Sequence, residues 1–170
     1  DNGVQCWGRN DYRYGQTDVP TNLVNPVAVS TGGEHTCALD DNGVQCWGRN
    51  DYGQTDVPTN LVNPVLSAGW LHTCAIDDNG VHCWGSNGVG ETDVPTNLVN
   101  PVAVAAVHQY TCTIDDNGLQ CWGGNNFGQS DVPTDLVNPV AVAGGNWHTC
   151  ALDDNGLHCW GRNNSGQNDV

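Results

Sequence analysis

The sequence predicts an all-β protein built as a tandem array of three-stranded antiparallel units. Three features support this: a recurring Cys-Trp-Gly triplet, an Asp-Asp-Asn-Gly turn signal before each of the last four triplets, and a short Val-rich segment before each turn. The triplets begin at Cys6, Cys46, Cys83, Cys121 and Cys159, with spacings of 40, 37, 38 and 38 residues. Such a period is typical of repeat proteins whose units bury their apolar faces against their neighbours.

Four cysteine pairs with identical spacing flank these turns. Within each turn the Gly supplies the positive φ that a tight hairpin needs. Counting outward from the turn, Leu39 faces Val44 and Cys37 faces Cys46, which is the geometry of a cross-strand disulfide. We therefore predict an oxidising compartment and these disulfides: Cys37–Cys46, Cys74–Cys83, Cys112–Cys121 and Cys150–Cys159.

Two other roles for these cysteines are considered. Free cysteines are common small core residues in reduced proteins. Zinc binding by His72, Cys74, His82 and Cys83 is disfavoured, because neighbouring residues such as His82 and Cys83 point to opposite faces of a strand. We expect no metal site and no cofactor. Ca²⁺ at the acidic turns is the alternative, because their carboxylates could serve as oxygen ligands, but these turns lack the alternating ligands of a dedicated calcium loop.

Each unit divides into a short first strand, a hairpin and a long polar connector. In the first full unit we predict strands over 27–29, 36–39 and 44–48. Neither hairpin face is charged, so both should be covered, as when small sheets stack around an axis or along a solenoid. The chain is then one repeat domain, with a partial unit over 1–24, full units over 25–62, 63–99 and 100–137, and a partial unit over 138–170. Packing roles are expected for Trp47, Trp84, Trp122 and Trp160.

The strand count is unbalanced. The sequence starts in a turn at Asp1-Asn2-Gly3, so it contains five third strands but only four first and second strands, and Cys6 has no partner. We therefore expect a partial propeller or an open array, either a piece of a longer array or one of several assembled copies.

The segment 32–54 resembles a repeat of the regulator of chromosome condensation family. It has His-Thr-Cys-Ala-Leu before an Asp-Asn-Gly turn and Trp-Gly-Arg-Asn-Asp-Tyr-Gly-Gln after it, and the pattern recurs in register along the chain. The short period and the Gln-Thr-Asp-Val-Pro connector at 54–58 look like the propeller-type β-lactamase inhibitor proteins. The resemblance implies β-propeller blades that act by binding other proteins. The cysteine pairs depart from the inhibitors' pattern and suggest a separate secreted or surface branch.

The loop before each Thr-Cys varies most between units, so we expect it to form a recognition rim on a rigid scaffold. Neutral drift after duplication is the alternative. The repeated His35, His72 and His148 are expected to pack or hydrogen-bond at strand ends. Connector positions vary as well, at Tyr12, Tyr14, Tyr52, Val89, Phe127 and Ser165. The candidate binding residues are Glu34, Trp70, Leu71, His108, Gln109, Tyr110, Asn146 and Trp147.

Charge and missing motifs narrow the function. With 19 acidic and 4 basic residues the net charge is −15, which repels nucleic acid, and no apolar run is long enough to span a membrane. There is no lysine, nucleophile elbow or phosphate loop, so we expect no enzyme. The sequence predicts a secreted or surface module that binds a protein partner or self-associates, as an interaction scaffold or a structural, filament-forming component. The alternatives are an inhibitor of a secreted enzyme, and a lectin-like adhesin that binds a glycan.

Overall fold

The computed structural model describes residues 3–10 and 13–170, and within them all regular structure is β. Asp1, Asn2 and Tyr12, which the sequence predictions used, lie outside the described residues. Across the described part of the chain, no helix is long and apolar enough to cross a membrane. The strands are β1 Ala28–Thr31, β2 His35–Asp40, β3 Gly43–Gly48, β4 Val65–Ala68, β5 His72–Asp77, β6 Gly80–Gly85, β7 Ala103–Ala106, β8 Tyr110–Asp115, β9 Gly118–Gly123, β10 Ala141–Gly144, β11 His148–Asp153 and β12 Gly156–Gly161.

Each consecutive triplet of strands forms one antiparallel sheet, so the chain contains four three-stranded units. The predicted register is confirmed, with Cys37 opposite Cys46 and Leu39 opposite Val44. Gly43 closes the turn with a φ of 103°, a region that favours glycine. The first strand is longer than predicted and ends at Thr31, because it pairs with β2 as far as Thr36.

The four units fan out around a common side, as propeller blades do. The first strands of neighbouring units pack on one another, β1 on β4, β4 on β7 and β7 on β10. Each second strand also touches the next unit's first strand, whereas the third strands pack mainly within their own sheet. The first strands are therefore nearest the axis. Among the described residues the array does not close, since β1 has no substantial contact with β10.

All four predicted disulfides are present, with Cα–Cα distances of 4.0–4.1 Å. Small side chains fill the sheet interiors, and Cys37, Ala38, Cys74 and Ala75 are fully buried. Cys6 is free. Four disulfides in a chain of this size indicate an oxidising environment.

Connectors fasten each unit to the next. The backbone carbonyl of Gln54, in the connector before the second hairpin, accepts hydrogen bonds from Thr73 Oγ1 (2.9 Å) and Trp84 Nε1 (3.0 Å). The Gln16 and Gln129 carbonyls do the same for the Thr and Trp of their following units. Trp47, Trp84 and Trp160, for which a packing role is predicted, thus also link their units to the preceding connector, whereas the Nε1 atom of Trp122 is buried without a hydrogen-bond partner in the described part of the chain.

Histidines at the start of the second strands form another link. The hydroxyl group of Thr73 donates its one hydrogen bond to the Gln54 carbonyl. His35 Nε2, which lies 2.8 Å from Thr73 Oγ1, must therefore be the donor to Thr73. His72 Nε2 donates to Thr111 Oγ1 (2.9 Å) by the same logic. The predicted hydrogen-bonding role is confirmed for both histidines. Their Nδ1 atoms are buried without a partner, and burial lowers each pKa to about 4.

Candidate functional site

The loops between first and second strands, over 32–34, 69–71, 107–109 and 145–147, lie at one end of the sheets. We call them the rim loops. The acidic turns lie at the opposite end of the same hairpins. Each second strand begins at a rim loop and ends at an acidic turn, and it pairs with the third strand along its whole length. Binding residues on the rim loops are therefore separated from the eight turn carboxylates by the length of a six-residue strand.

Backbone hydrogen bonds hold the rim loops in place. Within a unit, the residue after the Trp-Gly pair donates to the loop, as in Arg49 N–H to Glu34 O (2.8 Å) and Arg162 N–H to Trp147 O (2.8 Å). Between units, Trp70 N–H donates to Val107 O (2.7 Å). Trp70 also lies over Gly33, where a Cβ atom would meet the indole at 2.7 Å. The loops thus present side chains from a fixed frame.

Aromatic rings from three units form a continuous line across the rim. Ring centroids are 5.3 Å apart for Trp70 and His108, 4.5 Å for His108 and Trp147, and 5.4 Å for Trp147 and Phe127. The Arg162 guanidinium lies over the Phe127 ring at 5.3 Å and ends the line. Burial lowers the pKa of His108, which favours a neutral imidazole between the two indoles. We call these five residues the rim patch.

The rim patch is part exposed and part supported. Trp70 is 42% exposed and Phe127 43% exposed, whereas Trp147 and His108 are half-buried. Exposed aromatic rings held by neighbours lose little side-chain freedom on binding, so such a surface suits recognition.

One predicted binding residue is corrected by the structure. Tyr110 is fully buried, so it does not belong to the rim. Its hydroxyl donates to the His148 carbonyl (2.6 Å) and lies 2.9 Å from Thr149 Oγ1. Tyr110 thus occupies the position of His35 and His72 in other units and links its unit to the next as they do. Burial raises its pKa to about 12.

The remaining predicted residues lie on the rim loops in different settings. Glu34 forms an ion pair with Arg49. Leu71 and Gln109 are half-buried and accept backbone hydrogen bonds through their carbonyls, and Asn146 is exposed beside Trp147. The prediction missed Phe127 and Arg162 as binding candidates, because they belong to the connectors and not to the loops.

A second aromatic group surrounds Arg49. Its guanidinium lies over the rings of Tyr14 (5.2 Å) and Tyr52 (5.3 Å), and its Nε donates to Asp51 Oδ2 (2.9 Å). With Glu34 also bound, this arginine has two carboxylate partners. The charges here are satisfied within the chain.

A shallow cavity of about 280 Å³ adjoins the rim patch at the inner ends of the units. Most of the residues that line it have small side chains, and the larger ones include Trp70, His108 and Asn146.

Within the described ranges, no group of three or more His, Cys, Asp or Glu side chains is placed to hold a metal ion. At the acidic turns Asp40 accepts hydrogen bonds from the backbone N–H groups of Val24 (2.7 Å) and Asn42 (2.8 Å), and these bonds lower its pKa.

Comparison with known proteins identifies the repeat. The family model for the regulator of chromosome condensation (RCC1) repeat matches residues 27–54, 66–91 and 140–167. No curated protein matches the chain.

Solved structures share the fold. The CRINKLY WD40 ectodomain of the Arabidopsis thaliana receptor kinase ACR4 is 28% identical over 80% of this chain and 50% of its own, with a TM-score of 0.66. The ectodomain of the Physcomitrella patens receptor kinase CR4 is 23% identical over 81% of this chain and 39% of its own, with a TM-score of 0.67. Yeast RCC1 (Prp20), in its complex with Kap60, is 19% identical over 85% of this chain and 46% of its own, with a TM-score of 0.71.

The chain therefore spans half or less of the length of these three proteins. Its three-stranded sheets correspond to the blades of RCC1-like propellers, as the register and the fan arrangement already indicated. The family match and the shared fold lead to one conclusion: three segments of the chain match the RCC1 repeat, and its four sheets have the fold of RCC1-like propeller blades.

Proposed function

We propose that this chain is a non-enzymatic protein-interaction module, secreted or displayed at the cell surface, whose recognition surface is the rim patch. The observation that carries the proposal is the unbroken line of rings from Trp70 to Phe127, drawn from three units. Aromatic and arginine side chains dominate the energetics of most protein interfaces.

Two further features support a binding role. The disulfides favour an oxidising setting, and two similar structures are receptor-kinase ectodomains. Yeast RCC1 has been solved bound to another protein, Kap60. Backbone hydrogen bonds also hold the rim loops, so their frame does not rely on the identity of the exposed side chains, except at Gly33, where Trp70 leaves no room for a Cβ atom.

The test is to replace Trp70 and Trp147 with Ala together. Peptides selected from a random display library on the wild-type chain serve as probes, and their affinities are measured for both proteins by calorimetry. We expect each truncation to weaken binding by about thirtyfold, or roughly 2 kcal/mol. The melting temperature should stay nearly unchanged, because Trp70 is 42% exposed and makes no bridge to a connector.

The matched control is Trp84→Phe, which removes the bond from Nε1 to the Gln54 carbonyl and leaves the rim intact. This variant should lose stability and keep affinity. Equal affinity of the wild type and the Trp70/Trp147 double variant for the selected peptides would refute the proposal. Inhibition of a secreted β-lactamase by the wild type would narrow it to an inhibitor, and binding only to a glycan array would replace it with a lectin.

A further inference from the structure

Arg49 and Arg162 occupy the same position in two different units. Both follow Trp-Gly at the end of the third strand, and both donate a backbone hydrogen bond of 2.8 Å to the rim loop of their own unit. Both guanidinium groups also lie over a ring from the preceding connector, Tyr14 for Arg49 and Phe127 for Arg162. The two sites therefore share one geometry.

Their carboxylates differ. Arg49 is bound by Glu34, one residue before His35, and by Asp51, two residues after the arginine. In the unit of Arg162 these positions are Trp147 and Asn164. Both internal carboxylates are thus replaced by neutral residues. In the part of the chain that the structure describes, no carboxylate lies within ion-pairing distance of Arg162.

An arginine without a carboxylate is unexpected in this chain, which has 19 acidic residues and only 4 basic ones. The guanidinium carbon of Arg162 lies 5.3 Å from the centroid of the Phe127 ring, and among the described residues the guanidinium N–H groups have no hydrogen-bond acceptor. This planar fork matches a carboxylate, which accepts two parallel hydrogen bonds from it. The aromatic rings beside it provide an apolar surface at the same place.

The geometry points to Arg162 as the binding site for a carboxylate of the partner. The adjoining rings of Phe127 and Trp147 would then contact an apolar side chain next to that carboxylate. The partner surface is therefore a protein segment that carries an Asp, a Glu or a chain-terminal carboxylate beside a large apolar residue. This inference rests on the proposed function, since it assigns the chemistry of one end of the rim patch.

The overall charge of −15 opposes an anionic partner at long range. At physiological ionic strength the Debye length is about 8 Å, so carboxylates at the far end of the hairpins are screened. A group in contact with Arg162 is screened far less. Local complementarity at the rim then decides which segment binds.

The test uses N-acetyl-L-phenylalanine, an apolar carboxylate, and its neutral amide as probes on the complete 170-residue chain at 0.15 M salt. Binding is followed by NMR through the indole N–H signal of Trp147, assigned with Trp147→Phe. We expect the acid to bind about fivefold more tightly than the amide, as for a charge-assisted contact at a part-exposed site. Arg162→Gln should reduce the acid to the affinity of the amide and leave the amide unchanged.

Two matched variants use the contrast between the units. Asn164→Asp restores one internal carboxylate without altering the rings, and it should abolish most of the preference for the acid. Conversely, Glu34→Gln with Asp51→Asn frees Arg49, so in an Arg162→Gln background this pair should create acid binding near Tyr52, followed through the backbone amide signal of Arg49. Melting curves establish that each variant is folded.

The outcomes separate the two claims. If the acid and the amide bind with equal affinity and both shift the indole N–H signal of Trp147, the carboxylate-binding site is overturned and the rim patch remains a binding surface. No shift of Trp147 by either probe would overturn both. If glucuronate shifts the indole N–H signal of Trp147 as strongly as N-acetyl-L-phenylalanine does, the site binds an acidic sugar, and the proposal of a protein segment as its ligand is overturned.

Discussion

Acidification should destabilise the chain through the histidines that link its units. His35 and His72 have pKa values of about 4 in the folded chain, against about 6.5 for an unfolded histidine. The unfolded state therefore binds more protons between these two values. Stability contributed by the neutral imidazoles is full above pH 6.5 and falls as the pH is lowered towards 4.

The cause is geometric. Nε2 of each histidine already donates to a threonine of the next unit, so a second proton must go on Nδ1, which is buried and has no acceptor. The linkage relation gives a loss of about 2 kcal/mol per histidine between pH 7 and pH 5. Two histidines then cost about 4 kcal/mol, a large part of the stability of a small domain.

Urea unfolding of the wild type at pH 7 and pH 5 measures this loss, and His72→Gln should reduce the difference by about half. The third unit acts as an internal reference, because Tyr110 fills the same position and its pKa is raised to about 12, far from the range that is titrated. A difference between pH 7 and pH 5 that is the same in the wild type and in His35→Gln/His72→Gln would refute the reasoning.

Two other outcomes follow from the links within and between units. Reduction should release eight thiols besides Cys6 and destabilise each hairpin by about 2–3 kcal/mol, as the chain-entropy model gives for a short loop, and intact-mass analysis with melting curves checks both points. Eight alkylated thiols in the native protein before reduction would contradict it. Ser67→Ala should lower the free energy of unfolding by about 1 kcal/mol, because Ser67 Oγ accepts a hydrogen bond from the Ala106 N–H at 2.9 Å. Ala105→Ser, at the same position of the next unit, should raise the free energy of unfolding by a smaller amount. Equal urea midpoints for Ser67→Ala and the wild type would count against this role.

The hairpins could be predicted from the sequence because their geometry is local. Once Gly43 fixes the turn, the positions of Cys37 and Cys46 follow by counting, and the structure has the same pairs. The contacts between units could not be obtained in this way. The bond from Trp84 to the Gln54 carbonyl spans 30 residues and depends on how two units pack.

The candidate site was predicted in part. Variation between units points to Trp70 and Trp147 but equally to Tyr110, because a change from His to Tyr does not tell whether the side chain is exposed or buried. The pairing of the two hairpin strands contains a further signal. His35 lies opposite Gly48, so the residue before one and the residue after the other must be neighbours, which places Glu34 beside Arg49. The same step places Trp147 beside Arg162, since His148 lies opposite Gly161.

The position of Trp70 over Gly33 limits how such a repeat can diversify. At this boundary the indole of Trp70 occupies the space that a side chain at position 33 would need, since a Cβ atom there would meet the ring at 2.7 Å. The next boundary is different, because Trp70 and His108 stand at the same positions of neighbouring loops and their rings pack side by side at 5.3 Å. Positions 33 and 70 therefore cannot vary independently, and natural variants or designed libraries that enlarge residue 33 should also replace Trp70.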